Sequence, residues 1–305
     1  MNSASKIAII IITYNRPDDM LELAKNISKL DHQELLDEVL IVNNKSTEDY
    51  QVVEDFINSQ AEIPFRYIMA PENLGVAKGR NFAVTKTSSP ILFFIDDDAL
   101  FKNKDALFQV SQVFDEPSNQ PAGIAAFKVY YHSTMQLQVN AFPHKNFEER
   151  KDWHHFDTYY FSGCAHAIRR EVFEKAGYYP ENFFYGMEEY DLSYRVINDG
   201  MKIIYDDRVV VLHKESPEGR LTNKEKLRGM WVNKSKVAWK FLPKKYFYST
   251  SFLWSGQYLR KTGWDLGGWF KGWKEISKIP SQEKTTPINQ RALQYLKEVK
   301  ARLTY

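Results

Sequence analysis

One cysteine, Cys164, stands among 305 residues. No disulfide can form within the chain, and the scarcity suits a reducing compartment. Runs of about 18 or more apolar residues are also missing, which excludes a membrane-spanning helix. No cleavage site follows the apolar stretch Ile7 to Ile12, so it reads as a strand and not as a secretory leader. We therefore expect a cytoplasmic protein, with peripheral contact to the inner face of the membrane as an option. Glycine is missing directly after that strand, in Thr13-Tyr14-Asn15-Arg16-Pro17. A Gly-x-Gly-x-x-Gly dinucleotide loop is thereby excluded, and the Gly-rich basic loop of a nucleotidyltransferase is not seen. Acidic residues are scarce late in the chain. From Arg220 to the end, 5 Asp and Glu stand against 19 Lys and Arg, whereas residues 1–219 carry 34 against 22. Six of the seven tryptophans also lie in the basic part, from Trp231 to Trp273. Parts so differently charged do different work.

What is present is strand–helix alternation. Ile7–Thr13 is a β-branched run and reads as a buried strand. Pro17 with Asp18 and Asp19 opens a helix whose apolar stripe is Met20, Leu23, Ala24, Ile27 and Leu30. Strands are expected at Val39–Val42, Phe65–Met69 and Ile91–Ile95, with helices between them. Ser46 or Thr47 is expected to cap the helix that runs to about Ser59, and the next helix covers roughly Val76–Thr85. This pattern predicts a parallel sheet covered on both faces. Beyond Asp98 we expect a helix near Asp105–Phe114, a strand over Gly123–Tyr131, and a polar connection to about Asp157. A strand over Tyr159–Ala167, a helix over Arg170–Ala176, a helix after Gly186, and strands at Lys202–Tyr205 and Val209–His213 follow. From Asn223 onward only helices are expected.

Polar clusters fall at the carboxyl ends of the strands, where open sheets of this kind bind ligands. The densest is Asp96-Asp97-Asp98. Three adjacent carboxylates repel one another and favour a cation. Mg²⁺ or Mn²⁺ with oxygen ligands would suit. Alternation along an extended chain puts Asp96 and Asp98 on one face. The bland reading is a solvated loop of capping acids, against which stands the buried strand that feeds it. Glu188 and Glu189 lie at a helix start, where the dipole favours negative charge. They read either as capping acids or as a general base for a hydroxyl nucleophile. Asp191 is about one turn further on. His213 ends a strand and is either structural or a third ligand for the cation or diphosphate.

Taken in order, these motifs resemble the inverting glycosyltransferases of family two, over roughly residues 5–215. Thr13-Tyr14-Asn15-Arg16 is similar to that family's first-strand nucleotide motif, and Val42-Asn43-Asn44-Lys45-Ser46-Thr47 to its second-strand motif. Asn73-Leu74-Gly75 through Arg80-Asn81 resembles its Asn-x-Gly…Arg-Asn segment. Asp96-Asp97-Asp98 resembles its Asp-x-Asp signature, and Glu188-Glu189-Tyr190-Asp191 its Glu-Asp-x-Asp stretch. The resemblance implies the GT-A fold: a Rossmann-like α/β architecture with a mostly parallel central sheet, flanked by helices and extended by a helical C-terminal region. It implies that Thr13, Asn15, Arg16, Asn43, Lys78, Arg80, Asp96 and Asp97 bind the donor. It also implies that Asp96, Asp98 and His213 meet the metal. Glu189 falls at the position of the catalytic base, with Asp191 as its alternative and Glu188 nearby for the acceptor. Two positions depart from the family: Asn43 where Asp is common, and Glu189 where the base is most often Asp. Trp231-Val232-Asn233-Lys234 and Gly268-Trp269-Phe270-Lys271-Gly272-Trp273 look most like rhamnosyltransferase-type members, which build bacterial surface polysaccharides.

The activity so implied is metal-assisted transfer, with inversion, from a nucleoside-diphosphate sugar to a glycan or lipid-linked acceptor. UDP- and dTDP-sugars are the first donors to consider. The alternatives are a non-catalytic nucleotide-sugar-binding protein and a nucleotidyltransferase. We divide the chain into a catalytic domain over 1–219, with a nucleotide half (1–115) and an acceptor half (116–219), and a basic Trp-rich region over 220–305. That region reads first as helices packed on the domain, next as a peripheral membrane contact, and last as a nucleic-acid surface. Nucleic acid is not expected as a partner.

Overall fold

The structure is a computed structural model and describes residues 6–183, 186–216 and 222–303. The expected domain boundary at 219/220 lies outside the described residues. The first part alternates β1 (Ile7–Thr13), α1 (Pro17–Ile27), β2 (Leu36–Asn43), α2 (Gln51–Ser59), β3 (Phe65–Met69), α3 (Gly75–Val84) and β4 (Ile91–Ile95). β1 is buried on both faces, as a β-branched run inside a parallel sheet must be. In α1, Pro17 stands in the first turn with Asp18 and Asp19, and Met20, Leu23, Ala24 and Ile27 face inward.

The second part comprises β5 (Ala99–Phe101), α4 (Ala106–Asp115), β6 (Ala122–Tyr131), the single turn α5 (Phe147–Arg150), β7 (His155–Thr158), β8 (Ala165–Arg169), α6 (Arg170–Ala176), α7 (Glu188–Asn198) and β9 (Lys202–His213). Among the described residues all nine strands form one sheet in the order β3-β2-β1-β4-β8-β6-β9-β5, with β7 on β9. β3, β2, β1 and β4 run parallel. β8 is antiparallel to both β4 and β6, and β6 and β9 are again parallel. The sheet is therefore mixed beyond Ile95. The chain ends in α8 (Asn223–Phe241), α9 (Lys244–Thr262), α10 (Leu266–Ile276), α11 (Ile279–Gln282) and α12 (Gln290–Glu298). Among the described residues no helix is long and apolar enough to cross a membrane.

Three local expectations are corrected. α2 begins at Gln51 with no side-chain cap, because Ser46 and Thr47 are committed elsewhere: the Asn15 amide donates to Ser46 Oγ and the Thr47 amide to Asn15 Oδ1. Tyr159–Ala167 is not one strand. Residues 159–164 form the connection from β7 to β8, and that connection walls the cavity described below. Lys202–Tyr205 and Val209–His213 are one strand, β9, whose pairing with β6 shifts register between Phe127 and Lys128. The short strand β5, which pairs antiparallel with the end of β9, was not anticipated. That pairing sets Ala99 opposite His213 and so brings the acidic triplet to the histidine.

Apolar side chains form a cluster on each face of the sheet. One contains α1, α2 and α4. The other contains α3, α6 and α7, and it also takes Val237 and Phe241 from α8 and Ala292 and Leu296 from α12. A third cluster, with Trp231, Phe247, Trp254 and Tyr258, holds α8, α9 and α10 together.

Candidate active site

β1, β2 and β4 end on one side of the sheet, where a cavity of about 610 Å³ opens. That volume is in the range of sites that enclose a small-molecule ligand. Its lining residues Asp96, Asp97, Asp98, Glu188, Glu189 and Glu215 carry carboxylates, against Arg16, Arg80 and His213 as bases. Charge of one sign is in excess, and that excess is what a cationic ligand would neutralise.

The triplet divides its work. Arg16 Nη1 lies 2.8 Å from Asp97 Oδ1 and 3.3 Å from Asp98 Oδ2. Burial pushes the Asp97 carboxyl up to about 7 despite Arg16, with Asp98 adding to the rise. Asp98 is buried, accepts from the Ser216 amide at 2.9 Å, and lies 3.3 Å from His213 Nε2. Burial would lower the His213 imidazole, but Asp98, Cys164 and Asp96 outweigh it and raise it to about 11. The Asp96 side chain is 40% exposed and sits 3.6 Å from Arg80 Nη2.

Asp96, Asp98 and His213 each offer one ligand atom, all within 4.8 Å of one another. Two carboxylate oxygens and one imidazole nitrogen make a donor set that fits a first-row divalent ion such as Mn²⁺. Behind it, His213 Nδ1 lies 3.0 Å from Gln138 Oε1, and Gln138 Nε2 donates to Glu215 at 2.8 Å. This chain orients the ring and leaves Nε2 facing the carboxylates.

Across the cavity stand Glu188 and Glu189, at the first turn of α7. The chain enters that turn through Gly186 (φ 79°) and Met187 (φ 74°). A left-handed methionine is strained backbone, and such strain collects at functional sites. Arg80 joins the two sides: it is 3.1 Å from Glu189, donates to the Gly163 carbonyl at 2.8 Å, and lies over the Tyr179 ring. Burial would lower the Arg80 guanidinium, yet Tyr179, Glu189 and Asp96 together raise it, so it stays charged. A side chain at Gly163 would run into Glu189 and Arg80. Burial, then Glu189, push the Glu188 carboxyl up to about 8. Among the described residues its Oε2 has no hydrogen-bond partner.

Not every expected residue reaches the cavity. Thr13 Oγ1 is bonded to Tyr50 Oη at 2.7 Å, and Asn15 Oδ1 accepts from the Thr47 amide. Asn43 accepts from the Ser46 amide and donates to Tyr67 Oη. These three build the loops after β1 and β2 and do not line the cavity. Lys78 is exposed on α3, outside it. Asp191 is buried between Arg195 (2.9 Å) and Lys240, away from the lining, so the structure does not offer it as an alternative base. Gln138, Gly163 and Met230 line the cavity without having been anticipated. Gln138 arrives from an irregular connection and Met230 from α8, and no local motif marks either.

A model of glycosyl transferase family 2 matches residues 8–177. An uncharacterized protein of Haemophilus influenzae is 30% identical over 184 residues, which is 59% of this chain and 97% of that protein. The O-antigen chain rhamnosyltransferase WbaN of Salmonella anatum is 24% identical over 190 residues, 59% of this chain and 57% of its own length. Among solved structures, GalNAc-T7 with UDP, GalNAc and Mn²⁺ aligns with a TM-score of 0.64 at 14% identity, over 95% of this chain and 60% of that one. The mannosyltransferase PcManGT of Pyrobaculum calidifontis, in complex with GDP-Man and Mn²⁺, aligns at 0.57 and 16% identity, over 99% and 81%. At these identities the two structures share the fold.

Proposed function

The chain belongs to glycosyl transferase family 2, and from that premise we propose that it transfers a sugar from a nucleoside-diphosphate sugar to an acceptor hydroxyl with inversion, assisted by a divalent metal. The observation that carries this reading is one cavity in which Asp96, Asp98 and His213 converge and Glu189 is tied to Asp96 through Arg80. Relatives of the fold crystallised with UDP or GDP-Man and Mn²⁺ support a nucleotide-sugar donor and a metal. UDP- and dTDP-sugars are the donors to try first. The acceptor we propose is a glycan or a lipid-linked glycan.

In this reading Asp96, Asp98 and His213 hold the metal, with Mn²⁺ favoured over Mg²⁺ because one donor is an imidazole nitrogen. An ion held there would supply Lewis-acid charge to the leaving diphosphate. Arg16 holds Asp97 and Asp98 in place, and Gln138 orients His213. Glu189, ion-paired with Arg80, takes the proton of the acceptor hydroxyl as its oxygen bonds to the anomeric carbon. The bond from that carbon to the diphosphate oxygen breaks in the same displacement, and the configuration inverts. Glu188 keeps its proton at neutral pH and donates it in a hydrogen bond to the acceptor.

The test is thermal melting against UDP, dTDP and GDP, with and without Mn²⁺ or Mg²⁺, on the parent and on Asp98→Ala. A nucleotide at about 100 times its dissociation constant adds about 2.7 kcal/mol. We expect a metal-dependent shift for one nucleotide that Asp98→Ala abolishes. No shift with any nucleotide, or an undiminished shift in the variant, overturns the donor site.

A further inference from the structure

Away from the cavity, the helical region leaves large apolar side chains uncovered. Six of the thirteen such residues among those described lie between Tyr248 and Phe270. Trp264, Phe252 and Phe270 are 71, 70 and 65% exposed. Scattered surface apolar residues need no explanation, but a concentration of aromatics does. The cause is that α9 is apolar on two sides. Phe247, Trp254 and Tyr258 face α8 and α10 and form the bundle core. Tyr248 and Phe252, one turn apart on the outer side, find no cover. α10 repeats the pattern: Gly268, Gly272 and Ile276 face inward, and Leu266 and Phe270 face out.

Charge on this face has one sign. α9 contains no acidic residue and carries Lys244, Lys245, Arg260 and Lys261. In α10 the single acid, Glu275, is 3.6 Å from Arg228, while Lys271 and Lys274 are exposed. Asp265 is occupied by Tyr258 Oη and the Gly268 amide.

We propose that the outer face of α9 and α10 docks the protein on an anionic lipid bilayer. Aromatic and leucine tips enter the headgroup boundary, while lysines and arginines flank them and meet lipid phosphates. A second copy of the chain is the poorer occupant, because a two-fold contact would set these lysines against one another. Single-stranded nucleic acid is poorer as well, since the exposed leucines Leu253 and Leu266 among the rings offer nothing to stack on. The bundle is joined to the cavity: Met230 of α8 lines it, and Asn233 Nδ2 donates to the Gly186 carbonyl at 2.9 Å. Docking would hold the cavity beside acceptors carried in the membrane. The inference does not depend on the donor-site reading.

The test is flotation of the full chain with vesicles of phosphatidylcholine alone and of phosphatidylcholine mixed with phosphatidylglycerol, at low and high salt. We expect binding to the anionic vesicles only, weakened by salt, and about tenfold weaker in a combined Phe252→Ser, Trp264→Ser, Phe270→Ser variant whose melting temperature matches the parent. Should that variant fold poorly, a Lys271→Glu, Lys274→Glu pair serves, with the same expected loss. Absent vesicle binding, unchanged binding in the variants, tighter binding to single-stranded DNA than to vesicles, or self-association through this face without vesicle binding each overturn the proposal.

Discussion

Glu188 carries the most legible consequence at the scale of a single residue. Its carboxyl titrates near 8 in the folded chain against an ordinary 4.5. Between these values the folded protein keeps a proton that the unfolded chain has released. Stability from this group is therefore fully present below about pH 4.5, falls as pH rises, and levels off above about 8. Glu188→Gln removes the titration while keeping the shape. Calorimetric melting without metal should show variant and parent together near pH 4.5 and the variant several degrees higher by pH 8, at about 2–4 °C per kcal/mol. Parallel curves would sink the assignment. The presence of two acids at the start of α7 was legible in the sequence, as was their attraction to a helix N-terminus. The raised carboxyl of Glu188 was not, because burial in the folded chain, and then Glu189, set it.

For an element, the test lies where α10 crosses α8. Trp231 is fully buried, stacks near Tyr258, meets Trp273 edge-on at 5.4 Å, and donates from Nε1 to the Ser251 carbonyl. It cannot yield, and a Cβ at Gly272 would fall inside contact distance of its ring. Gly272→Ala gains up to about 1 kcal/mol of helix propensity but incurs overpacking of about 1–3 kcal/mol. We expect a net loss, seen as a lower melting temperature. Gly267→Ala, on the open side of the same helix, should be neutral to stabilising. If both alanines behave alike, the α8–α10 contact is not as described. The glycines of α10 are plain in the sequence, but only the packed helices tell the crowded one from the free one.

As a whole molecule, the chain ties its basic helices to the acidic sheet. Tyr194 of α7 packs on Phe241 of α8 at 5.6 Å between ring centres, and Tyr295 Oη donates to the Thr158 carbonyl at 2.8 Å. Asn289 donates to Asn198 twice, from its backbone amide to Oδ1 and from Nδ2 to the carbonyl, and Lys240 pairs with Asp191. A chain ended at Ser216 would strip these partners from the second apolar cluster. We expect it to melt without a cooperative transition and to bind a hydrophobic dye at room temperature. A sharp transition like the parent's would show that the sheet needs no help from the helices.

Local chemistry determined a good deal of this. β-branched runs bounded by polar residues located β1 to β4, Pro17 opened α1, and alternation dictated parallel pairing, because each signal lies within a few residues of where it acts. The acidic triplet, its alternation and its late histidine were readable for the same reason. What distant segments do to one another was decided only by the tertiary structure. Pairing of β5 with β9 sets His213 against Asp98. Gln138 orients that histidine from an irregular but ordered connection. Thr13, Asn15 and Asn43 serve neighbouring loops, and Asp191 holds Lys240. A side chain's partner depends on long-range packing that no local pattern encodes, and there the reading of motifs stops.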